Sequence, residues 1–326
     1  MSNKGENGEE RAGVALTHLD SELFAGADAT KRQLVDYLDA VSELIIGVLA
    51  DRPLSVIRVR PGTAPFMQKN VPKYAPDFVR TITVWAESSH RDVDYALCND
   101  RPTLLWFANQ RAVEYHPTLM RAGRWDNPDF LVLDIDPPAG AEFGLAVQAA
   151  LLVREALSSA GLVGAVKTSG AKGVHIMVPL AAGAMAEDAA AATRAVAARA
   201  ERLGPDLATT AFIKEDRGGK VFIDATRAGG ATIVAAYSPR VRPGTPVSFP
   251  VGWDDLSSAR PADFTVRNAA GLLAGQDAWA RQLPAPQQLP ASLVAEGHAI
   301  PVARVAAMHE GKRRARARRN EGSAAG

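Results

Sequence analysis

Apolar residues recur at helical intervals in three parts of the chain. The first helix is predicted to begin near Thr30, because Thr30 and Gln33 have the spacing of a capping box and apolar residues follow every three or four positions to Ile45. Two further helices are predicted over 142–160 and 186–203, and each is followed by a glycine that suits a helix C-terminus. Helices are therefore expected in the first third and in the middle of the chain.

Shorter apolar runs, bounded by proline, glycine or polar clusters, predict strands between these helices. The predicted strands are 54–59, 79–85, 104–107, 130–136, 163–168, 174–180, 220–225 and 232–237. The last two are expected to form a hairpin around 227–230. Because strands and helices interleave without a strict βαβ rhythm, we predict an α/β (α+β) fold with mixed sheets.

The two ends of the chain differ from the middle. Residues 1–13 contain almost nothing to bury and are predicted to be disordered, whereas 14–285 are predicted to form one folded domain. Residues 286–326 are rich in proline and alanine, and six of the eight positions 312–319 are lysine or arginine. Such like charges repel one another, which predicts a flexible arm that either binds nucleic acid or only aids solubility.

Composition narrows the class of protein. The chain has 326 residues, 37 basic and 36 acidic, so the net charge of +1 excludes a uniformly basic protein but leaves room for a local basic surface. The single Cys98 excludes a disulfide framework and a zinc site built from several cysteines. No apolar run approaches the roughly 20 residues of a membrane helix, and we expect a cytoplasmic protein with no membrane partner.

Two aspartates follow one another at the end of a predicted strand. Asp134 and Asp136 alternate with apolar residues, so both carboxylates project from the same face. Such carboxylates repel each other unless a cation lies between them, and hard oxygen ligands suit Mg²⁺ or Mn²⁺. The pair therefore indicates a metal site, or simply a strand end that meets solvent.

A glycine-containing turn separates the next two predicted strands. It carries Ser169, Lys172 and Gly173, and His175 begins the strand that follows. Backbone N–H groups, the serine hydroxyl and the lysine ammonium of such a turn can converge on phosphate oxygens. Glycine follows the lysine where a Walker A loop requires serine or threonine, so this is another kind of phosphate-binding turn or an ordinary surface hairpin.

A third aspartate, Asp224, ends another apolar and β-branched run. Three aspartates holding two divalent ions beside a basic phosphate-binding turn are the apparatus of phosphoryl or nucleotidyl transfer. The order of the strand with two aspartates, the turn and the late aspartate resembles the archaeo-eukaryotic primase superfamily.

Further segments narrow this resemblance. Residues 64–70, 114–116, 237–247 and 253–256 are similar to the polymerase domain of bacterial ligase D, and more narrowly to stand-alone actinobacterial proteins of that family. The resemblance covers 14–285 and implies a mixed-sheet, primase-type catalytic core. We expect no ligase or nuclease domain in this chain.

The resemblance also implies roles for individual residues. Asp134, Asp136 and Asp224 would be the catalytic ligands of two divalent cations, Mn²⁺ or Mg²⁺. The residues implied to hold the incoming nucleotide are Ser169, Lys172, His175, His116, Arg217, Lys69 and Arg58. Those implied to contact DNA are Lys31, Phe66, Arg240 and Arg242, with Phe66 stacking on template bases and the two arginines on a mobile loop.

Lys31 would grip the 5′-phosphate on the far side of a gap. As the first residue after the cap Thr30, it would lie beside free N–H groups that favour an anion, although an ordinary solvated lysine fits the sequence as well. The chain also departs from the family. Ser21 replaces a second phosphate-binding lysine, Met67 replaces a template-facing aromatic, and residues 227 and 231 differ from the usual polar amide and lysine.

These observations predict a metal-dependent, template-directed nucleotidyltransferase that extends primers and fills short gaps in DNA end joining, with a preference for ribonucleotides. The expected partners are primer–template or gapped DNA and NTP or dNTP. The family implies Ku and a separate ligase, and we expect a monomer associated with the nucleoid. The alternatives are a primase that starts chains without a primer, a non-catalytic module that binds DNA ends, and a phosphotransferase acting on a small substrate.

Overall fold

The structure, a computed structural model, describes residues 8–86, 90–227 and 232–302, and eight α-helices and twelve strands lie in these ranges. The helices are α1 (Lys31–Ala40), α2 (Ser42–Leu49), α3 (Arg101–Asn109), α4 (Phe143–Ser159), α5 (Ala186–Leu203), α6 (Ala269–Leu273), α7 (Ala278–Gln282) and α8 (Ala291–Ala299). The strands are β1 (Glu9–Arg11), β2 (Val14–Leu16), β3 (Pro53–Arg60), β4 (Thr63–Gln68), β5 (Thr81–Ala86), β6 (Arg91–Leu97), β7 (Ala112–Pro117), β8 (Phe130–Asp136), β9 (Ala165–Thr168), β10 (Val174–Pro179), β11 (Ala208–Thr209) and β12 (Val221–Asp224). Among these helices none has the length and apolar character needed to cross a membrane.

The first helix begins at the predicted cap. Thr30 and Gln33 form a capping box, in which the Gln33 N–H donates to Thr30 Oγ1 at 3.3 Å and the Thr30 N–H donates to Gln33 Oε1 at 2.8 Å. Val41 leaves the helical conformation, so the predicted single helix is divided into α1 and α2. The apolar residues of both helices point into the main core.

One five-stranded sheet, called here the first sheet, has the strand order β11-β12-β8-β10-β9. Its central strand β8 pairs antiparallel with both β12 and β10, whereas β11 runs parallel to β12. Helices α4 and α5 pack against this sheet, and residues 131–135 of β8 are buried. Apolar strands covered in this way have little freedom to slip in register, which fixes the relative positions of the residues at their ends.

The second sheet has the order β4-β3-β6-β5, and β7 pairs with the other side of β3. Its strands are antiparallel neighbours, and α3 packs on β7 and on helices α1 and α2. The mixed sheets with interleaved helices confirm the predicted α/β class.

The prediction of a strand over 104–107 is wrong, because these residues form the middle of helix α3. Asp100 caps this helix by accepting a hydrogen bond from the Thr103 N–H at 2.8 Å, and Pro102 occupies its first turn. Four consecutive apolar residues have no periodicity, so burial on all sides suits a helix as well as a strand.

The predicted hairpin of 220–225 and 232–237 is also wrong. The first segment forms β12, whose partners are β8 and β11, and Thr232 makes an isolated bridge to Thr118. Residues 228–231 lie outside the described residues. The antiparallel partner of β12 is therefore β8, which is distant in sequence, and a local turn signal does not reveal such a pairing.

Both predicted flexible ends contain ordered structure. Glu9–Arg11 pairs with Val14–Leu16, whose two apolar ends are buried in the core, and Arg11 forms an ion pair with Asp36 at 2.6 Å, so strand pairing and charge pairs together hold this end. At the other end α8 packs on α5 with Leu293 buried. The basic positions 312–319 lie outside the described residues.

Candidate functional site

The first sheet brings three aspartates to one face. Asp134 and Asp136 lie at the end of β8, and the register of β12 pairs Asp224 with Asp134. Because directly opposed residues and alternate residues share a face, the three carboxylates project to the same side. Asp134 and Asp224 are buried, and Asp136 is half-buried. We call these three residues the aspartate cluster.

An arginine neutralises part of this charge, and a histidine lies against one of the same carboxylates. Arg227 donates from Nη2 to Asp134 Oδ2 at 3.1 Å, and its Nε lies 3.3 Å from Asp224 Oδ2. On the other side His175 Nε2 lies 3.3 Å from Asp134 Oδ1. Burial opposes the charged form of Asp134, but His175 and Arg227 outweigh it and lower its pKa to about 2. Burial and the neighbouring Asp134 instead raise the pKa of Asp136.

The donor set fits hard divalent cations, which prefer carboxylate oxygens. The mutual repulsion that raises the pKa of Asp136 is the condition that a bound cation relieves. Within the described ranges, no three histidine, cysteine, aspartate or glutamate side chains are already closed around one point. The guanidinium of Arg227 occupies the space between Asp134 and Asp224 instead, so a metal ion there would have to displace it.

The predicted phosphate-binding turn lies beside the aspartate cluster. Its Ser169 Oγ accepts hydrogen bonds from the N–H groups of Ala171 and Gly173 at 3.2 and 3.1 Å, so these N–H groups are not free as the sequence suggested. Gly173 passes so close to β8 that a Cβ there would lie 2.2 Å from the Ile135 carbonyl oxygen. Lys172 is exposed and donates to the Pro137 carbonyl at 2.5 Å. The turn is therefore packed directly on the strand that carries the two aspartates.

His175 lies opposite Asp134 in the register of β10 and β8 and is buried. Its Nδ1 lies 2.8 Å from Lys167 Nζ, which also donates to Ser248 Oγ at 2.6 Å. Burial and then the neighbouring Lys167 lower the pKa of His175 to about 4, so the imidazole is neutral near pH 7. Both ring nitrogens face protein groups in this structure.

Glu114 connects the second sheet to the turn. Its carboxylate lies 2.9 Å from His116 Nε2 and 3.1 Å from Arg240 Nε, and it accepts the Val241 N–H at 2.8 Å. Arg240 also donates to the carbonyl of Ser169. Although burial opposes ionisation, these partners lower the pKa of Glu114 to about 2. His116 and Arg240 are thus held in one network, and Arg240 is anchored rather than extended.

The remaining residues predicted to hold phosphate lie nearer the surface. Arg217 is half-buried at the end of a 3₁₀ helix, and its guanidinium lies 3.7 Å from the ring of Phe222, which pairs with Asp136 in the sheet. Arg217 is therefore adjacent to the aspartate cluster. Lys69 follows β4 and is exposed, as is Arg242.

A pocket of about 510 Å³ lies by the start of α1, away from the aspartate cluster. We call it the basic pocket. Its polar lining includes Ser21, Lys31, Arg58, Arg60, Asn109 and Arg111. Arg111 donates to Ser21 Oγ at 2.6 Å, so a guanidinium lies at the position where the family's second lysine is missing. No aspartate or glutamate is among the described residues that line this pocket.

Lys31 differs from both of its predicted descriptions. It is buried, and its ammonium donates to the Thr17 carbonyl at 2.5 Å and to Asn109 Oδ1 at 2.6 Å, so it is not a solvated lysine. Its backbone N–H donates to the Ser21 carbonyl and is not free for an anion. Burial, and then the charge of Arg111, lower the pKa of Lys31 to about 8.

Phe66 lies on β4 between two arginines of β3. The guanidinium carbons of Arg58 and Arg60 lie 5.7 and 4.8 Å from its ring centre. Arg58 also donates to Gln68 and to the Gln110 carbonyl, and it belongs to the basic pocket. The predicted nucleotide contact Arg58 is therefore grouped with the predicted DNA contacts, and its described partners include no member of the aspartate cluster.

Four residues that the structure brings into these sites have no role in the sequence-based prediction. They are Arg111, Glu114, Lys167 and Arg227. Glu114 and His116 alternate on one predicted strand, so a shared face could have been inferred. Arg111 gave no such signal, because 90 residues separate it from Ser21.

The chain is similar to known sequences of one family. Residues 30–279 match the family model of the LigD primase-polymerase domain. The chain is 34% identical over 258 residues to the bifunctional non-homologous end joining protein LigD of Bacillus subtilis, and 33% identical over 265 residues to the multifunctional LigD of Mycobacterium bovis. These matches cover 78% and 77% of this chain but only 41% and 34% of the two relatives.

A solved structure has the same fold. It is the polymerase domain of Mycobacterium tuberculosis ligase D in complex with DNA, with a TM-score of 0.76 and 30% sequence identity. The likeness covers 84% of this chain and 98% of that one, and it confirms the primase-type fold. The family model, the curated relatives and the shared fold together establish that this chain belongs to the LigD primase-polymerase domain family.

Proposed function

We propose that this protein adds nucleotides to a primer under the direction of a template, uses divalent cations, and fills short gaps during DNA end joining with a preference for ribonucleotides. The observation that carries the proposal is the register of β8 and β12, which gathers the aspartate cluster beside the turn at 169–173. Clustered carboxylates next to phosphate-binding groups are what nucleotidyl transfer requires. The structural neighbour is a polymerase domain in complex with DNA, which supports the same substrate class.

In this proposal Asp134, Asp136 and Asp224 hold two divalent cations, Mn²⁺ or Mg²⁺. Bound there, the cations would stabilise negative charge on the phosphoryl oxygens and favour ionisation of the attacking hydroxyl. Arg227 leaves its position between Asp134 and Asp224 in the loaded enzyme. Before the metal ions bind, the Arg227 guanidinium stabilises the two carboxylates, because two buried like charges otherwise repel.

The nucleotide occupies the space between the turn and the second sheet. Lys172 and Arg217 supply positive charge to the triphosphate, and Ser169 and His175 supply hydrogen bonds. Lys172 favours the ionised form of Asp136, and Arg217 lies over the ring of Phe222, which pairs with Asp136 in the sheet. His116 lies on the second sheet and is tied through Glu114 to the loop that carries Arg240. Lys69 is an exposed cation that could reach the same phosphates.

DNA lies along the second sheet and the basic pocket. Phe66 stacks on template bases, a sequence-tolerant contact worth about 1–3 kcal/mol per base. The basic pocket binds the 5′-phosphate across a gap, because its arginines and Lys31 have no carboxylate among the described residues that line it. Arg111 supplies the positive charge that the missing second lysine at Ser21 would supply. The preference for phosphorylated gaps is therefore retained. Ku and a separate ligase are the partners that this role would need.

Primer extension tests the proposal. The substrates are a 5′-phosphorylated gapped duplex, the same duplex with a 5′-hydroxyl, and a bare single strand, each with Mn²⁺ or Mg²⁺ and with NTP or dNTP. We expect templated addition into the gap, faster with NTP, and none in the Asp224→Asn variant. Addition on the bare strand would favour a primase instead. Failure to add any nucleotide with either metal, or full activity in Asp224→Asn, would overturn the proposal.

A further inference from the structure

A buried chain of polar groups runs from the core to the aspartate cluster. Ser248 Oγ, Lys167 Nζ, the two ring nitrogens of His175 and Asp134 Oδ1 follow one another at 2.6, 2.8 and 3.3 Å. Lys167 has no exposed surface, which is unusual for a lysine and points to a fixed partner set. Neither the phosphate-binding turn nor the metal ligands require a lysine at this position. Lys167 therefore has a role other than direct binding of phosphate or metal.

The direction of these hydrogen bonds can be read from the Ser248 end of the series. The single hydroxyl proton of Ser248 is given to the Thr168 carbonyl at 2.8 Å. Its oxygen must therefore accept from Lys167, whose Nζ lies 2.6 Å away. Both the ammonium and the neutral amine have a further N–H for His175 Nδ1, so Lys167 can donate to both partners in either charge state.

The contacts of His175 at the other end of the series show which ring nitrogen carries the proton. Lys167 Nζ lies 2.8 Å from Nδ1 and donates to it, so the ring N–H lies on Nε2, which faces a carboxylate oxygen that can only accept. A proton on Nδ1 would leave the bare lone pair of Nε2 against Asp134. The proton therefore belongs on Nε2, and Nδ1 is the acceptor for Lys167.

We propose that Lys167 is a positioning residue that keeps His175 in the tautomer with its proton on Nε2, so that the imidazole always presents a donor to the aspartate cluster. In the free protein the acceptor is Asp134. During nucleotide binding the same N–H is the donor that a triphosphate oxygen needs, and this second part rests on the proposed function. Outer partners of this kind fix histidine tautomers at metal sites.

The tautomer can be measured directly in the wild-type protein. The chain has only six histidines, so two-bond ¹H–¹⁵N correlation spectra of the full protein in EDTA can be assigned with a His175→Gln variant. We expect the Nε2–H pattern for His175 near neutral pH. A pattern of the Nδ1–H tautomer or of an imidazolium would overturn the proposal without any assay of activity.

Two variants separate positioning from general loss of structure. Lys167→Met keeps the volume of the side chain but removes the donor, and the spectrum of His175 should change to a mixture of tautomers. Ser248→Ala disturbs the same buried chain but leaves the Lys167–His175 bond, and the Nε2–H pattern should persist. If Lys167→Met does not fold, the wild-type spectrum still tests the proposal, because an Nδ1–H pattern would overturn it. An unchanged His175 spectrum in folded Lys167→Met would contradict the proposal.

Kinetics test the second part. Lys167→Met should raise the KM for nucleotide by about tenfold, the lower end of what losing such an outer partner costs, with a smaller change in kcat. An Nε2–H spectrum in the wild type together with an unchanged KM in Lys167→Met would overturn the link to the triphosphate. The tautomer assignment would remain in place. Absence of nucleotide addition in the wild type would instead count against the proposed function.

Discussion

The aspartate cluster and the basic pocket are two charged sites of opposite sign that the fold completes in different ways. In the aspartate cluster, Arg227 supplies a cation to Asp134 and Asp224. In the basic pocket, no carboxylate of the residues that the structure describes pairs with Lys31 or Arg111, whose polar hydrogens go to carbonyl, amide and hydroxyl oxygens. One site thus contains its own counter-charge, whereas the other leaves its positive charge for a ligand.

This difference bears on how each site binds. A cation that enters the aspartate cluster competes with Arg227, so its binding exchanges one ionic contact for another. An anion that enters the basic pocket displaces no charged partner and gains a charge-assisted hydrogen bond. We therefore expect the first site to respond to substitution of its internal arginine and the second to respond to salt.

The largest expected effect is on catalysis. Asp224→Asn should lower nucleotide addition by at least about 100-fold, because the cations that stabilise the phosphoryl oxygens lose a ligand worth several kcal/mol. DNA affinity, measured by fluorescence anisotropy, should remain, since the carboxylate repels phosphate. Asp254→Asn, an exposed aspartate, is the matched control. Normal addition by Asp224→Asn would remove this residue from the metal site.

The basic pocket should show a smaller effect that depends on salt. Lys31→Met and Arg111→Met should each reduce the preference for phosphorylated over hydroxyl gaps by about tenfold at low salt, the low end for one charge-assisted contact. The loss should shrink as salt rises. Lys73→Met, an exposed lysine, is the control. Equal discrimination by the wild type and both pocket variants would place the phosphate site elsewhere.

Substitution of Arg227 should strengthen metal binding rather than weaken it. Arg227→Gln should lower the melting temperature in EDTA, because Asp134 and Asp224 then repel without a counter-charge. It should bind Mn²⁺ about fivefold more tightly, since a partly exposed ion pair worth about 1 kcal/mol no longer competes. The stabilisation by Mn²⁺ in thermal denaturation measures this, with exposed Arg260→Gln as control. Weaker Mn²⁺ binding in Arg227→Gln would mean that the arginine supports the ion.

Two aspartates of the same cluster should differ in their effect on stability. Asp134→Asn should lower the free energy of unfolding by about 2 kcal/mol in EDTA, because it weakens the buried contacts with Arg227 and His175. Asp136→Asn should leave the free energy of unfolding unchanged or raise it, since repulsion disfavours that carboxylate. Urea unfolding near pH 7 separates the two. Equal destabilisation by both variants would contradict this description of the cluster.

The smallest effect concerns pH. The folded pKa of Lys31 is about 8, whereas its ordinary value is 10.5, so the unfolded chain binds more protons between these values. Stability contributed by this group therefore rises as pH rises through that window. Lys31→Met should remove about 1 kcal/mol of the rise in unfolding free energy between about pH 8 and pH 10. An identical rise in both proteins would show that Lys31 is ordinarily basic.

The aspartate cluster was predictable because strand register and alternation fix it. Asp134, Asp136 and Asp224 end short apolar strands, and pairing of such strands leaves few arrangements. The capping box of Thr30 is a local signal of the same kind. Helix α3 was missed, because a fully buried apolar run has no periodicity to distinguish helix from strand.

The basic pocket was predictable only in part. Lys31 was singled out, but its partners Thr17 and Asn109 lie 14 and 78 residues away, so its burial could not be inferred. Arg111 reaches Ser21 across two chain segments that meet only in the folded protein. Side-chain charge therefore indicated the sign of this site but not how its cations are held.

Direct Mn²⁺ binding tests the central claim that the aspartate cluster holds catalytic cations. Free Mn²⁺ can be measured by electron paramagnetic resonance during titration of the wild type, Asp134→Asn and Asp224→Asn, with and without nucleotide. We expect saturable binding to the wild type that nucleotide strengthens, and loss of that binding in both variants. Equal Mn²⁺ binding by the wild type and the two variants would contradict the assignment of the aspartate cluster as the metal site.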